Sequence, residues 1–163
     1  MQDLDRRSAL ALGLAAVAAP VLVWPRSLAA QTSDMEAVRT AHAAHYTAFS
    51  ARDIRALEAV WARGADVTTM HPGSRAPLVG WEAVRRSYED QFSSQFAEVA
   101  IQMGDPRITV RQDAAWVVGI ETLRGRRPNG DAVDAATLAT NILVKQDGRW
   151  LMAHHHASGI PPQ

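Results

Sequence analysis

Apolar and aromatic positions recur every three or four residues early in the chain. Met35, Val38, His42, His45 and Phe49 fall on one stripe, with Tyr46 beside it, the spacing of a helix face. Ser33-Asp34-Met35-Glu36 reads as the capping box that starts this helix. Asp53 is placed to cap a second, shorter helix whose apolar face is Ile54, Leu57, Val60 and Trp61, ended by Gly64. Residues 66–70 are extended and β-branched, and His71-Pro72-Gly73 breaks them into a loop through Pro77. Gly80 precedes a third helix over 81–92, with Trp81, Val84 and Tyr88 at helical spacing. The period then changes. Strands are predicted over 96–103, 107–111 and 115–123, separated by Gly104-Asp105-Pro106 and Gln112-Asp113, before a polar loop over 125–131.

The last stretch predicts a hairpin. Residues 137–145 are apolar and β-branched, Asp147-Gly148 supplies the turn, and 149–158 return. Strict alternation puts Trp150, Met152, His154 and His156 on one face, and Leu151, Ala153, His155 and Ala157 on the other. Both faces carry apolar bulk, so Asn141 and His155 must find partners or line a cavity. The order of helices then strands predicts one α+β domain, with helices packed on one face of a curved antiparallel sheet.

Composition excludes more than it selects. Lys+Arg and Asp+Glu both number 17, so no charge excess points to nucleic acid or an anionic membrane. With no cysteine, disulfides, thiolate nucleophiles and Cys-ligated zinc are excluded. Residues 1–30 stand apart. Arg6-Arg7 leads into an apolar run from Ala9 to Trp24 and then Ser27-Leu28-Ala29-Ala30, the layout of a secretory signal. It resembles a twin-arginine signal, although Ala9 replaces the usual phenylalanine and Asp5 the usual Ser or Thr. The run is short for a membrane span, so the expectation is a leader cleaved near Gln31 and a domain over 31–163. That domain would be exported without stable membrane insertion, to the periplasm in a Gram-negative cell.

The run from Thr140-Asn141 through Lys145-Gln146-Asp147-Gly148-Arg149-Trp150 to His154-His155-His156-Ala157-Ser158-Gly159 resembles the last hairpin of SnoaL-like proteins. These belong to the nuclear-transport-factor-2-like superfamily. It is especially similar to the association domain of calcium/calmodulin-dependent kinase II. The element order upstream is also that of ketosteroid-isomerase-like folds. The resemblance implies a cone-shaped, curved antiparallel sheet with three helices on its concave face, enclosing a pocket between sheet and helices. It implies an inward face carrying Glu121, Asn141, His155 and Ala157, with Trp150, Met152, His154 and His156 outward. In ketosteroid isomerases an aspartate before a proline is the general base, and here His71 stands in that place. The oxyanion-donating tyrosine of those enzymes aligns with His45 or Tyr46, and their protonated aspartate with Thr140 or Asn141. The arginines of the association-domain pocket correspond to Glu121, Asn141 and Ala157, so the cationic pocket is absent.

Two readings of each candidate stand side by side. His71 is a base whose ordinary pKa suits neutral pH, or a cap of its turn. Glu121 joins His71, Asn141 and His155 in an acid–base cluster, or pairs with Arg124. Trp61, Trp81, Trp116 and Trp150 suit the core or an interface, and of these Trp61 and Trp81 are expected as pocket walls with Tyr88, His45, Tyr46 and His155. His71, His155 and Glu121 also make a conceivable two-histidine, one-carboxylate metal set, but nothing in the spacing requires a metal. The expected function is binding of a small organic molecule with cofactor-free proton transfer, as in an isomerase, cyclase or hydratase. The alternative is a non-catalytic binding or oligomerisation module. A homodimer formed through the outer sheet face is expected in either case.

Overall fold

The computed structural model describes residues 27–160, so residues 1–26 of the expected leader lie outside it. Among the described residues there are three α-helices: α1 (Leu28–Ser50), α2 (Ile54–Val60) and α3 (Trp81–Asp90), the last running into a π-helical turn, Gln91–Gln95. The strands are β1 (Thr68–Met70), β2 (Leu78–Val79), β3 (Glu98–Arg111), β4 (Ala114–Arg126), β5 (Ala132–Gln146) and β6 (Arg149–Gly159). They form one curved, unclosed sheet in the order β2-β1-β6-β5-β4-β3. The class is α+β, as the element order predicts. The sheet is mixed rather than wholly antiparallel, because β1 pairs parallel to β6, Thr69 opposite His155.

Helix α1 starts five residues before its expected cap. Ser27 caps it, its side chain accepting from the Ala30 N–H, and Ala29 and Ala30 are strong helix formers that extend it upstream. Ser33 is therefore inside the helix. Asp34 of the expected box turns inward, taking hydrogen bonds from Lys145 Nζ at 2.6 Å and Trp150 Nε1 at 3.2 Å. Met35 is exposed; Val38, His42, His45, Tyr46 and Phe49 form the buried stripe. Asp53 caps α2 as expected, accepting from the N–H groups of Arg55 and Ala56.

The two strands expected either side of Gly104-Asp105-Pro106 are one strand, β3, whose register against β4 shifts between Gly104 and Arg107. A bulge leaves residues outside the ladder, so Pro106, which has no N–H to give, does not end the strand.

The larger departure lies in β6. Ile142 pairs with His154 but Leu143 pairs with Met152, leaving Ala153 without a partner. This bulge inverts side-chain parity part-way along the strand. Trp150 and Met152, expected on the outer face, are buried in the core, and so are His155 and Ala157 beyond the bulge. His154 and His156 stay on the outer side. The backbone at the bulge is also tied to the segment after α2: the Ala62 N–H donates to the Met152 carbonyl at 2.8 Å.

The core lies between sheet and helices, built around Trp61, Tyr88, Leu57, Leu143 and Met152. On the opposite face Trp116 pairs with Ile142, and Ile120 with Leu138, and all four are exposed. Truncating a fully buried side chain loses its transfer energy and leaves a cavity. Met152→Ala should therefore cost about 2–5 kcal/mol in denaturant unfolding, whereas Val79→Ala, 57% exposed at the sheet edge, should change stability by about 0.5 kcal/mol or less. Equal losses would place Met152 on the outer face after all.

Candidate functional site

A cavity of about 390 Å3 opens between the sheet, α3 and the turn that follows β1. Asp90 and Arg127 are among its charged members and Phe96, Ile101, Leu123 and Val133 among its apolar ones, and His71, Glu121, Thr137 and His155 bring further polar groups. The fold delivers these groups from four directions. His71 lies just past β1, where Pro72 and Gly73 (φ 83°) turn the chain. Glu121 and Thr137 are register partners on β4 and β5. His155 sits two residues beyond the β6 bulge.

Glu121 is buried and fully engaged. Its Oε1 accepts from the Tyr46 hydroxyl at 2.6 Å, and its Oε2 from Thr137 Oγ1 at 3.1 Å. The pairing with Arg124 does not form; Arg124 meets Asp134 instead, at 3.4 Å on the surface. His155 Nδ1 lies 2.7 Å from Asn141 Oδ1 and 3.7 Å from Glu121 Oε1. Asn141, with no exposed surface, directs Nδ2 at the Tyr46 oxygen (2.8 Å) and at His42 Nε2 (3.0 Å). The His71 ring lies 5.9 Å from that of His155. Its Nε2 is held to α3, 3.1 Å from both Ser87 Oγ and Gln91 Nε2.

Of the expected site residues, His71, Glu121 and His155 meet at the cavity, and Asn141 stands directly behind them. Four others are displaced from the cavity wall. His45 is buried under the site, accepting from Trp61 Nε1 at 3.2 Å. Trp61 and Trp81 pack in the core with rings 6.2 Å apart, and Tyr88 packs edge-on against His71 at 5.4 Å. These are long apolar side chains on buried helix faces, so core packing takes them. Tyr46 reaches the site only through Glu121. His154 faces away and pairs with Thr68 Oγ1 at 2.7 Å. Among the described residues no three potential ligands are grouped to hold a metal ion, so the His71, His155, Glu121 set is not arranged for one.

Sequence reasoning missed Ser87, Gln91 and Thr137. Ser87 and Gln91 are one helical turn apart beside the buried Val84–Tyr88 stripe, and Thr137 lies opposite Glu121 across the sheet. Either pattern could have located them once register was known.

A family model described as a SnoaL-like domain matches residues 38–163. The chain belongs to the SnoaL-like family. Its fold is shared with solved structures. One is an NTF2-like protein from Streptomyces avermitilis provisionally assigned as a dehydratase: 26% identity over 80% of this chain and 99% of that one, TM-score 0.72. Another is a protein from Thiobacillus denitrificans provisionally assigned as a calcium/calmodulin-dependent kinase II association domain: 30% identity, covering 76% and 94%, TM-score 0.65. A ketosteroid isomerase-like protein from Erwinia carotovora is 25% identical, covering 79% and 98%, TM-score 0.67. No curated protein matches.

The electrostatics of this SnoaL-like site follow from burial. Desolvation penalises the charged imidazole and holds His71 and His42 down at about 4. His45 falls to about 3, first through burial and then through repulsion from His42 and His71. Burial also pulls His155 well below the usual range, with the neighbouring histidines adding to it. Glu121 moves the other way: burial raises it, and hydrogen bonds from Tyr46 and Thr137 offset part of the rise.

These shifts make stability depend on pH. Below about 6.5 the unfolded histidines bind protons that the folded protein takes up only near 3 to 4. Their contribution is thus complete above pH 6.5 and is lost as pH falls toward 4, with a slope of about 1.4 kcal/mol per pH unit for each proton of difference. Glu121 has the opposite sign, because burial makes its folded carboxyl give up its proton at a higher pH than the unfolded one. One carboxyl is outweighed by several histidines. Thermal unfolding followed from pH 8 to 4.5 should show a plateau above 6.5 and a steep decline below 6. A flat profile to 4.5 would contradict the buried neutral cluster.

Proposed function

We propose that this SnoaL-like domain binds a small organic carbonyl compound in the cavity and moves a proton on carbon, as an isomerase, cyclase or hydratase–dehydratase would. The observation that carries this reading is the meeting of two neutral imidazoles, His71 and His155, with Glu121 in one apolar-walled cavity. A neutral imidazole takes the proton from the carbon beside the carbonyl. The C–H electron pair passes to the carbonyl oxygen as an enolate. The imidazolium then returns the proton to another carbon, or to a leaving hydroxyl that departs as water. Glu121, 3.7 Å from His155 Nδ1, favours the imidazolium that forms. No cofactor is required for this step. The similarity to a provisionally assigned dehydratase agrees with this class of reaction.

The oxyanion roles expected for Tyr46 and Asn141 do not suit their geometry. The Tyr46 proton goes to Glu121 and both Asn141 N–H groups are engaged behind the wall. That commitment favours the second reading, a domain that holds a ligand without turning it over. Exchange of deuterium from heavy water into the α-carbon of a panel of ketones and β-hydroxyketones separates the two. The wild type should exchange at least one member of the panel. His71→Ala and His155→Ala should each slow that exchange about 100-fold or more while still binding it, seen in the ring signals of the histidine that remains. Binding with no exchange across the panel would leave the ligand-holding module.

We also propose export and dimerisation. The paired arginines, apolar run and small residues before Gln31 support a cleaved leader. Cleavage there removes Ser27 and the first turn of α1, after which Ser33 is placed to cap what remains. The paired exposed residues Trp116–Ile142 and Ile120–Leu138 form an apolar outer face suited to a second copy of the chain. Native and denaturing mass spectrometry of the exported product reads both claims. The expected result is a chain starting within a few residues of Gln31, at twice its own mass in the native spectrum. A full-length monomer held in membranes contradicts both.

A further inference from the structure

Two imidazoles face the cavity, and their hydrogen bonds distinguish them. We infer that Asn141 is a positioning residue that fixes His155 as the Nδ1–H tautomer, so that His155 offers the cavity a bare Nε2 and acts as the base. The inference rests on the proton-transfer reading above for its function, but not for its geometry.

The direction of each hydrogen bond follows from Glu121. Its carboxylate accepts at both oxygens, from Thr137 and from Tyr46. Tyr46 has one proton, and Glu121 takes it at 2.6 Å, so toward Asn141 the Tyr46 oxygen can only accept. The Asn141 nitrogen must therefore face Tyr46, and its second N–H goes to His42 Nε2. Turning the amide over would set Oδ1 against a tyrosine oxygen with no proton between them. That leaves Oδ1 for His155 Nδ1, 2.7 Å away, and a contact that short between an oxygen and a ring nitrogen requires a proton on the nitrogen. A neutral imidazole has one ring proton. Nε2 of His155 is then unprotonated. Glu121, accepting at both oxygens, thus sets the tautomer of His155 through three buried hydrogen bonds.

His71 lacks such a constraint. Ser87 Oγ gives its proton to the Val84 carbonyl at 2.7 Å, so it accepts from His71 Nε2–H; yet Gln91 Nε2 stands at 3.1 Å as a donor to a bare Nε2. Either tautomer finds a partner. His71 is suited to exchanging its proton between the two ring nitrogens, and His155 to presenting a fixed lone pair.

Nitrogen-15 NMR of the histidine rings in the ligand-free mature protein tests this directly. In the wild type at pH 7, His155 should show a protonated Nδ1 and a pyridine-like Nε2. Asn141→Asp, nearly isosteric, puts a carboxylate against Nδ1 and should move the titration of His155 upward by at least one pH unit. Asn141→Leu should abolish the tautomer preference if it folds, and Tyr46→Phe should weaken it. In the exchange assay Asn141→Leu should lose at least tenfold in kcat at pH 7 with KM little changed, whereas Asn141→Asp should lose kcat only as pH falls through the raised titration of His155 and recover above it. A merely structural residue would not produce that pH shift. A wild-type His155 protonated at Nε2, or a folded Asn141→Asp variant whose His155 titration is unmoved, overturns the inference. Absence of exchange activity with the ring states as expected would instead remove the catalytic reading and leave the assignment of the proton standing.

Discussion

The site depends on one unpaired residue. Without the bulge at Ala153, strand β6 would keep a single parity from Arg149 to Gly159, and either Trp150 and Met152 or His155 and Ala157 would have to leave the interior. The first pair fills the core under α1 and α2; the second lines the cavity. An extra residue lets one strand serve both ends of the cone, and the Ala62–Met152 hydrogen bond holds the strand where its parity changes. Core and cavity are therefore built by the same backbone irregularity rather than by separate elements.

Burying three histidines, a glutamate, an asparagine and a tyrosine together is costly unless nearly every polar atom is paired. Here Asn141 links three of the neighbours, Trp61 serves His45, and Thr137 completes Glu121. The neutral state of the imidazoles follows from the same burial, which penalises the charged form, and for His45 and His155 from repulsion by the neighbouring rings. A cavity in such a wall is poorly suited to an ionic group at its deep end. It suits a neutral group that changes charge only during a reaction.

Much of the fold was legible because it is written in local periodicity. The stripe on α1, the Asp53 cap, the Trp81–Val84–Tyr88 face and the final hairpin turn all follow from spacing along the chain. The inward set Glu121, Asn141, His155 and Ala157 was placed by resemblance, and the structure has them inward. What sequence could not show was non-local. The bulge at Ala153 has no residue signature, as alanine needs no special backbone geometry to occupy it. The parallel pairing of β1 with β6 joins segments more than 80 residues apart. Spacing alone leaves Trp61 and Trp81 open to either core or cavity wall, and in the structure they pack with Tyr88 in the core. The N-terminal turn of α1 was hidden by the expectation of a cleaved leader at the same residues.

The irregularity in β6 also governs how this chain should be aligned with its relatives. Counting forward from Trp150 and counting backward from Gly159 agree only for a protein that carries the same inserted residue. In a homologue without it, an ungapped alignment anchored on the tryptophan would equate an inward histidine with an outward one. Roles for this strand are transferred safely from the glycine end, with the gap placed opposite Ala153. The triple histidine then becomes two kinds of position: two on the outer side of the sheet and one facing the cavity.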